Sequence, residues 1–446
     1  MAEQDLNKEK EEASFLKASS IKEGEELLYS NGVGVGRYYP KDLEPFFMWA
    51  VEKGASDVTI QTNENIFLEI YGKKYRVTTR RLTQNEVLDF VVAMYESESA
   101  KAKLNSGEDV DFAYEVKPDR DNKIRFRVNA TSIRVEGHTG VQITARTIPS
   151  IPVHIDNMNL EKEIFDNLYH KQGMIIVTGG TGSGKSTLLS SIIRYIAENP
   201  ESNKKILTYE SPVEFVYDEV DSPTTLVSQS EIGKDLKDFA AGTRNALRRK
   251  PDIILIGEAR DAETIGEAVT ASMTGHLLYT TVHSNGFADT IRRMVNVFPE
   301  GERNSKAVDI ISSLKMVISQ RLVPSLDGKR VALREYVVFN ENIVDELLED
   351  LDNLTYSCRK VLKKYGRSFL QDAQKKYDEG KISYELLQEF VRSEKGQNKD
   401  AEEDLLHFKE NTMNNLNKLN LLEEEIDNDI PFVDFSLEEM NAHKGK

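Results

Sequence analysis

Cysteine is nearly missing from this chain. Among 446 residues there is one, Cys358, so no intrachain disulfide can form, which fits a reducing cytosol. Long apolar runs are missing too, and nothing approaches the about 20 residues that cross a bilayer. The opening segment, Met1–Glu12, is charged and lacks the apolar centre of a signal peptide. The expectation is a cytoplasmic protein with no membrane span. A basic excess is also absent. The formal net charge is −17, and the 25 acidic and 15 basic residues from Glu341 onward hold −10 of it. That balance argues against general affinity for nucleic acid, although it leaves room for a local basic patch. The length suits about three domains and a large core. No internal repeat is visible.

What is present is a glycine-rich loop in a telling place. Gly179-Gly180-Thr181-Gly182-Ser183-Gly184-Lys185-Ser186-Thr187 follows the apolar run Met174–Val177. It precedes a helical pattern through Leu188, Leu189, Ile192, Ile193 and Ile196. G-x-x-x-x-G-K-[ST] between strand and helix is a phosphate-binding P-loop. The glycines let backbone N–H groups curl round phosphate oxygens, and the helix points its positive end at the same anion. Lys185 supplies a cation for the β- and γ-phosphates, and the Ser186 hydroxyl is a hard ligand suited to Mg²⁺. ATP is the expected nucleotide. A second glycine cluster, Gly32–Gly36, follows no strand and opens no helix, so it reads as a linker.

The texture of the chain changes twice. Residues 1–42 are Glu/Lys-rich and read as a mobile arm with some helix. From Asp42 a helical segment leads to Gly54. Strand candidates follow at Asp57–Gln61, Ile66–Ile70, Phe112–Tyr114, Lys123–Val128 and Val141–Thr147, with a helix from Gln84 to about Tyr95. This mixture predicts a compact α+β domain ending near Ile151-Pro152. Beyond it, the buried runs Met174–Val177, Ile206–Tyr209, Ile253–Ile256 and Leu277–Thr281 alternate with helices, the pattern of a parallel α/β sheet. From about Val344 the chain reads as helical and charged, and its last part as mobile.

Hydrolysis needs a carboxylate at the C-terminal end of a strand beside the loop. Glu210 follows one apolar run and Glu258 another. Either is placed to orient water, accept its proton or hold Mg²⁺ through water; the plainer alternative is that one only caps its strand. His276 and His283 flank the run Leu277–Thr281 at an odd offset, which argues against a shared metal site. His283 stands where the γ-phosphate is expected and is placed to donate to it, whereas a structural role for His276 stays open. Arg125 and Arg127 alternate with Ile124, Phe126 and Val128, so one face of that strand is cationic. With Arg134 and Arg146 they form a set of fork-shaped cations suited to clamping phosphate, or merely to solvating a sheet. Arg244, Arg248, Arg249 and Lys250 precede Pro251; the last two suit a helix C-terminus.

Four boxes now stand in order: the loop Gly179–Thr187, the acidic stretch Leu207–Phe215, the stretch Pro251–Asp261 and the histidine stretch Thr274–His283. In this order they resemble the secretion ATPases of type II and type IV secretion and of pilus motors. Gly54–Thr62, Arg125–Asn129, Arg146–Pro152, Arg244–Lys250 and Arg330–Glu335 are similar to the type IVB, Dot/Icm-like ATPase and its relatives in IncI-type conjugation. The resemblance covers roughly residues 40–390. It implies a PAS-like domain over 43–148, a linker over 149–156 and a RecA-like ATPase domain over 157–343; composition alone marks a helical region over 344–392 and an acidic tail over 393–446, and that tail lies outside the resemblance. It implies a homo-hexameric, Mg²⁺-dependent ATPase docked on inner-membrane secretion or conjugation components; the acidic net charge disfavours nucleic acid as a direct ligand. ATP would lie between the two domains, where Arg125, Arg127, Arg134 and Arg146 approach it; Arg127 and Arg146 are the favoured pair. A pilus-retraction motor and a nucleic-acid translocase are the alternatives. One departure is Ser211, where the acidic box usually has a second carboxylate.

Overall fold

The computed structural model describes residues 27–29, 36–117 and 123–397, the last four of these without their side chains. Most of the expected arm, four of the five residues of the Gly32–Gly36 cluster, and the tail beyond 397 lie outside the described residues.

The N-terminal part opens on the helix Leu43–Glu52, whose Leu43, Phe46, Phe47 and Ala50 are buried. Six strands follow: β1 (Asp57–Gln61), β2 (Phe67–Ile70), β3 (Lys73–Arg76), β4 (Val110–Val116), β5 (Ile124–Val135) and β6 (His138–Ile148). They form one sheet in the order β3-β2-β1-β6-β5-β4, antiparallel at every pair. Inward residues Val58, Ile60, Leu68, Phe112, Phe126 and Val128 pack with Phe47 and the helix Gln84–Tyr95, as alternation on a one-sided sheet requires. That helix starts on a capping box in which Thr83 and Glu86 satisfy each other's backbone N–H groups. β5 runs further than the apolar pattern suggested. Its second half pairs with β6 across Glu136 and Gly137, both at positive φ, which is how a two-residue turn matches strand twist. β3 was not foreseen, because Lys-Lys-Tyr-Arg carries no apolar face.

The second sheet holds β7 (Gly173–Thr178), β8 (Lys205–Glu210), β9 (Leu226–Glu231), β10 (Ile253–Ile256), β11 (Leu277–Val282), β12 (Leu314–Pro324) and β13 (Arg330–Val338). Its order is β13-β12-β7-β11-β10-β8-β9, and every pair from β12 to β9 is parallel. β7 and β11 are buried along their whole lengths, and helices cover both faces. Because β8, β10, β11 and β7 are successive neighbours, their C-terminal ends share one edge.

Ile343, Leu347, Leu354, Cys358 and Val361 come from the helices Glu341–Leu348 and Leu354–Tyr365 and join the core of this sheet. Burial pushes the Cys358 thiol up to about 12, so it is an inert core side chain. The chain groups into two compact units. One holds both sheets and runs through Ser368 apart from Pro324–Val331; the other holds Pro324–Val331 and the chain from Phe369. In the second unit Leu326 N–H donates to Lys381 O at 3.0 Å.

Candidate active site

The loop between β7 and the helix Lys185–Glu198 has the shape its glycines allow. Gly179, Gly182 and Gly184 adopt positive φ. A Cβ on Gly179 would stand 2.4 Å from Gln320 O and 2.5 Å from Ser183 Oγ, so no larger residue fits. The first helical bond runs from Leu188 N–H to Gly184 O at 3.0 Å. The N–H groups of Lys185, Ser186 and Thr187 therefore point out of the helix start, where an anion is stabilised. Lys185 is 8% exposed. Its Nζ donates to Gly179 O at 3.0 Å and to Gly180 O at 2.9 Å. Burial holds this ammonium below the ordinary lysine range, while Glu258 and Glu214 pull it back up. Ser186 is exposed beside it. Gly180 and Thr181 form the open crest of the loop. These residues fit a triphosphate with a bound divalent cation: a loop without side-chain bulk, a cation at its base, a hydroxyl and a carboxylate nearby.

Glu258 follows β10, and its Oε1 lies 3.9 Å from His283 Nε2. Burial and the Lys185 charge hold His283 below the usual imidazole range, with Glu258 opposing them. Around them the strand ends are tied together. Thr281 Oγ1 donates to Gly257 O at 2.5 Å, and Gly257 N–H to Tyr209 O at 2.7 Å. Thr178, the last residue of β7, bonds Ser284 Oγ at 2.5 Å. Lys185, Ser186, Glu258 and His283 are thus brought to one edge.

Glu210 ends β8, one strand further along. Its Oε1 accepts from Thr208 Oγ1 at 2.6 Å and from Gln229 Nε2 at 3.2 Å. Protein surrounds most of the carboxyl. Burial pushes it up to about 7, against the two donors and Arg125 and with help from Glu214. A carboxylate poised there is well matched to accept a proton at neutral pH. With Glu210 as the proton acceptor, hydrolysis would fall as pH drops through about 7, where its carboxyl is protonated. Stability runs the other way. A carboxyl raised in the folded state contributes fully below its unfolded pKa, and that contribution is lost as pH rises through about 7. Glu210→Gln should flatten that stability slope, read as thermal midpoints across about pH 5 to 8. An unchanged slope would show that Glu210 does not carry this titration.

The arginines divide three ways. Arg125 is 4% exposed; it donates to Glu214 O and to Val213 O, both at 2.7 Å. It therefore staples β5 to the acidic stretch. Arg127 and Arg146 are directly opposed across β5 and β6 and share a face. Arg127 reaches Asp111 at 2.7 Å and Glu214 at 3.4 Å, while Arg146 bonds Asp57 at 2.8 Å. Arg134 does not join them. It stands at an odd offset from Arg125 and Arg127 on a strand without a bulge, so it lies on the opposite face. Of the four arginines, Arg127 and Arg146 thus form a pair on one face, Arg125 is a staple and Arg134 stands apart.

Other expected residues take structural roles. His276 Nδ1 lies 3.1 Å from Ala271 O, before β11 and away from the loop. Arg244 pairs with Glu263 and Glu267, and Arg249 donates to Ser228. The sequence reading missed Glu231, which ends β9. It is 6% exposed and accepts from Val213 N–H at 3.0 Å and from Ala113 N–H of β4 at 3.2 Å. Burial raises its carboxyl against those two donors. With Arg125 it fixes Val213 by both backbone groups to the N-terminal sheet. Its neighbours Ser228, Gln229 and Ser230 offer no apolar pattern that could have flagged it.

A P-loop at the end of a central parallel strand, with acids closing two further strands at the same edge of the sheet, defines a P-loop nucleotide-binding domain. The chain belongs to the type II/IV secretion system protein family, whose family model matches residues 41–406. It is similar to the type IV pilus retraction ATPase PilT of Pseudomonas aeruginosa, 34% identical over 320 residues, 71% of this chain and 88% of that protein. Among solved structures it resembles the Legionella pneumophila ATPase DotB at 46% identity and TM-score 0.77, covering 80% of this chain and 97% of that one. It also resembles the pilus retraction motor PilT with bound ADP at 32% identity and TM-score 0.66, covering 78% and 96%. The α/β ATPase fold with a helical C-terminal part is common ground with DotB. No helix among the described residues is long and apolar enough to cross a membrane.

Proposed function

We propose that this chain is a Mg²⁺-dependent ATPase that works as a homo-hexamer at the cytoplasmic face of the inner membrane. There it powers a type IV, type IVB-like secretion or conjugative transfer machine. The observation that carries the ATPase reading is the shared edge, where Lys185 and Ser186 stand beside Glu258 while Glu210 closes the strand beyond. The DotB likeness supports the machine. An arriving triphosphate offers Lys185 charged acceptors in place of two neutral carbonyls. Glu210 accepts a proton from water as its oxygen attacks the γ-phosphorus and the bond to the ADP oxygen breaks, giving ADP and phosphate. Glu258 shares that role or orients the water. Ser186, and Glu258 through water, would hold Mg²⁺, which when bound neutralises phosphate charge. His283 donates to the γ-phosphate and Arg127 and Arg146 approach it from the N-terminal sheet, in cis or from a neighbouring copy.

Lys185→Ala is expected to weaken ATP binding by about 10- to 100-fold, the size of a lost charge-assisted contact. Equilibrium binding of a fluorescent ATP analogue reads it, and wild-type affinity would overturn the loop assignment. The PilT likeness favours pilus retraction as the second reading. Deleting the gene separates the two: loss of protein or DNA transfer with normal retraction supports the first, and the reverse supports the second. Hydrolysis stimulated by DNA in a salt-dependent way would favour a translocase instead.

A further inference from the structure

The stretch Arg330–Glu335 has no part in the chemistry above, yet it holds Arg334, the largest fully buried side chain in the described residues. We propose that Gln320 is a positioning residue for the phosphate-binding loop, and that Arg334 ties it to the chain entering from the N-terminal sheet. This rests on the ATPase reading of the same site.

Gln320 follows Ser319, which pairs with Thr178 at the end of β7, so it stands alongside the loop. It is 3% exposed. Its Nε2 donates to Ser183 O at 2.8 Å. Its side chain and backbone also crowd both ends of the loop: a Cβ on Gly184 would stand 3.0 Å from Nε2, and one on Gly179 would meet its carbonyl. On the other side Gln320 Oε1 accepts from Arg334 Nε at 2.9 Å. This fixes the amide, because the oxygen must face the arginine and the nitrogen the carbonyl. The Arg334 fork then reaches Met158 O at 2.8 Å, Asn159 O at 3.2 Å and Glu161 Oε2 at 3.2 Å. Met158 is the last residue of the 3-10 turn Ile155–Met158, the first turn after β6; Asn159 caps that turn and Glu161 is the N-cap of the helix Lys162–Asp166. A buried guanidinium is a costly way to gain stability alone, and apolar packing would serve as well. What this network adds is direction. One end grips the loop and the other grips the segment joining the two sheets, so a shift of Met158–Glu161 is carried to Ser183 through this chain of buried hydrogen bonds.

The test uses the full chain. Gln320→Glu keeps an acceptor for Arg334 and sets a carboxylate oxygen against Ser183 O. The KM for ATP is expected to rise about tenfold or more, with kcat within about threefold, since Lys185 and both acids are untouched. A folded variant with wild-type KM, or one changed only in thermal midpoint, overturns the proposal. Should Gln320→Glu not fold, Arg334→Met with Glu161→Met removes the arginine and its partner together and keeps apolar packing. The KM should again rise, and a wild-type KM overturns the relay. The wild-type control separates the two levels. A wild type that neither binds nor hydrolyses ATP ends the ATPase reading, whereas an active wild type with unaffected variants ends the relay alone.

Discussion

Arg127→Ala is expected to slow ATP hydrolysis by about 10³-fold, the scale of a lost arginine finger, and Arg134→Ala to leave it almost unchanged. Arg127 is 44% exposed and so remains within reach of a ligand. Its guanidinium meets Glu214, whose charge is also felt by Lys185 at the base of the loop. That makes it the N-terminal arginine with a link to both the acidic stretch and the phosphate site. Arg146, beside it in register, is 69% exposed and held by Asp57; Arg146→Ala tests whether both forks are used. Arg134 is an exposed residue on the opposite face, where a substitution costs less than about 0.5 kcal/mol. Arg125 behaves differently again. Its removal leaves the Val213 and Glu214 carbonyls without their donor inside the protein, so the expected effect falls on stability and docking of the acidic stretch. The assay is steady-state hydrolysis by single alanine variants, with assembly followed by light scattering. Arg127→Ala and Arg146→Ala proteins that assemble and turn over normally would refute an interdomain nucleotide site.

Glu258→Gln is expected to bind ATP and to turn it over at least about 10²-fold more slowly. The side chain keeps its shape and loses its charge. Its neighbours tie it to the loop: His283 stands 3.9 Å away, and the Glu258 charge is the strongest one felt by Lys185. Glu210→Gln ranks the two acids. If Glu210 is the base, its variant loses turnover without changing the Mg²⁺ dependence of binding, whereas Glu258→Gln alters both. Wild-type turnover in Glu258→Gln would reduce that residue to a strand cap.

Much of the α/β part was legible because its strands are buried on both faces. Met174–Val177, Ile206–Tyr209, Ile253–Ile256 and Leu277–Thr281 read as apolar runs since no side faces water. The acids and His283 could then be assigned to one edge, as functional groups of open sheets gather at the carboxyl ends of strands. β3 and β9 were not legible. Lys73–Arg76 and Leu226–Glu231 lie at sheet edges and carry polar or charged residues, so pairing with β2 and β8 makes them strands where pattern does not.

Sequence alone marked the candidate phosphate-binding loop of this protein. The glycines, Lys185 and Ser186 are defined by backbone conformation and side-chain type within one short segment, which needs no distant partner to be recognised. Tertiary structure alone decided the partners of the arginines and the acids. Arg125 and Arg127 look equivalent along one strand, yet the first is buried under Val213 and Glu214 while the second stays half exposed. Glu210 is poised near neutrality, and Glu231 is locked between Ala113 and Val213. Gln320 and Arg334 meet across the edge of the sheet to hold Ser183. The physical reason is common to all of them. Desolvation and hydrogen bonding act over a few ångströms of space, and those distances are set by which segments pack together rather than by their order along the chain.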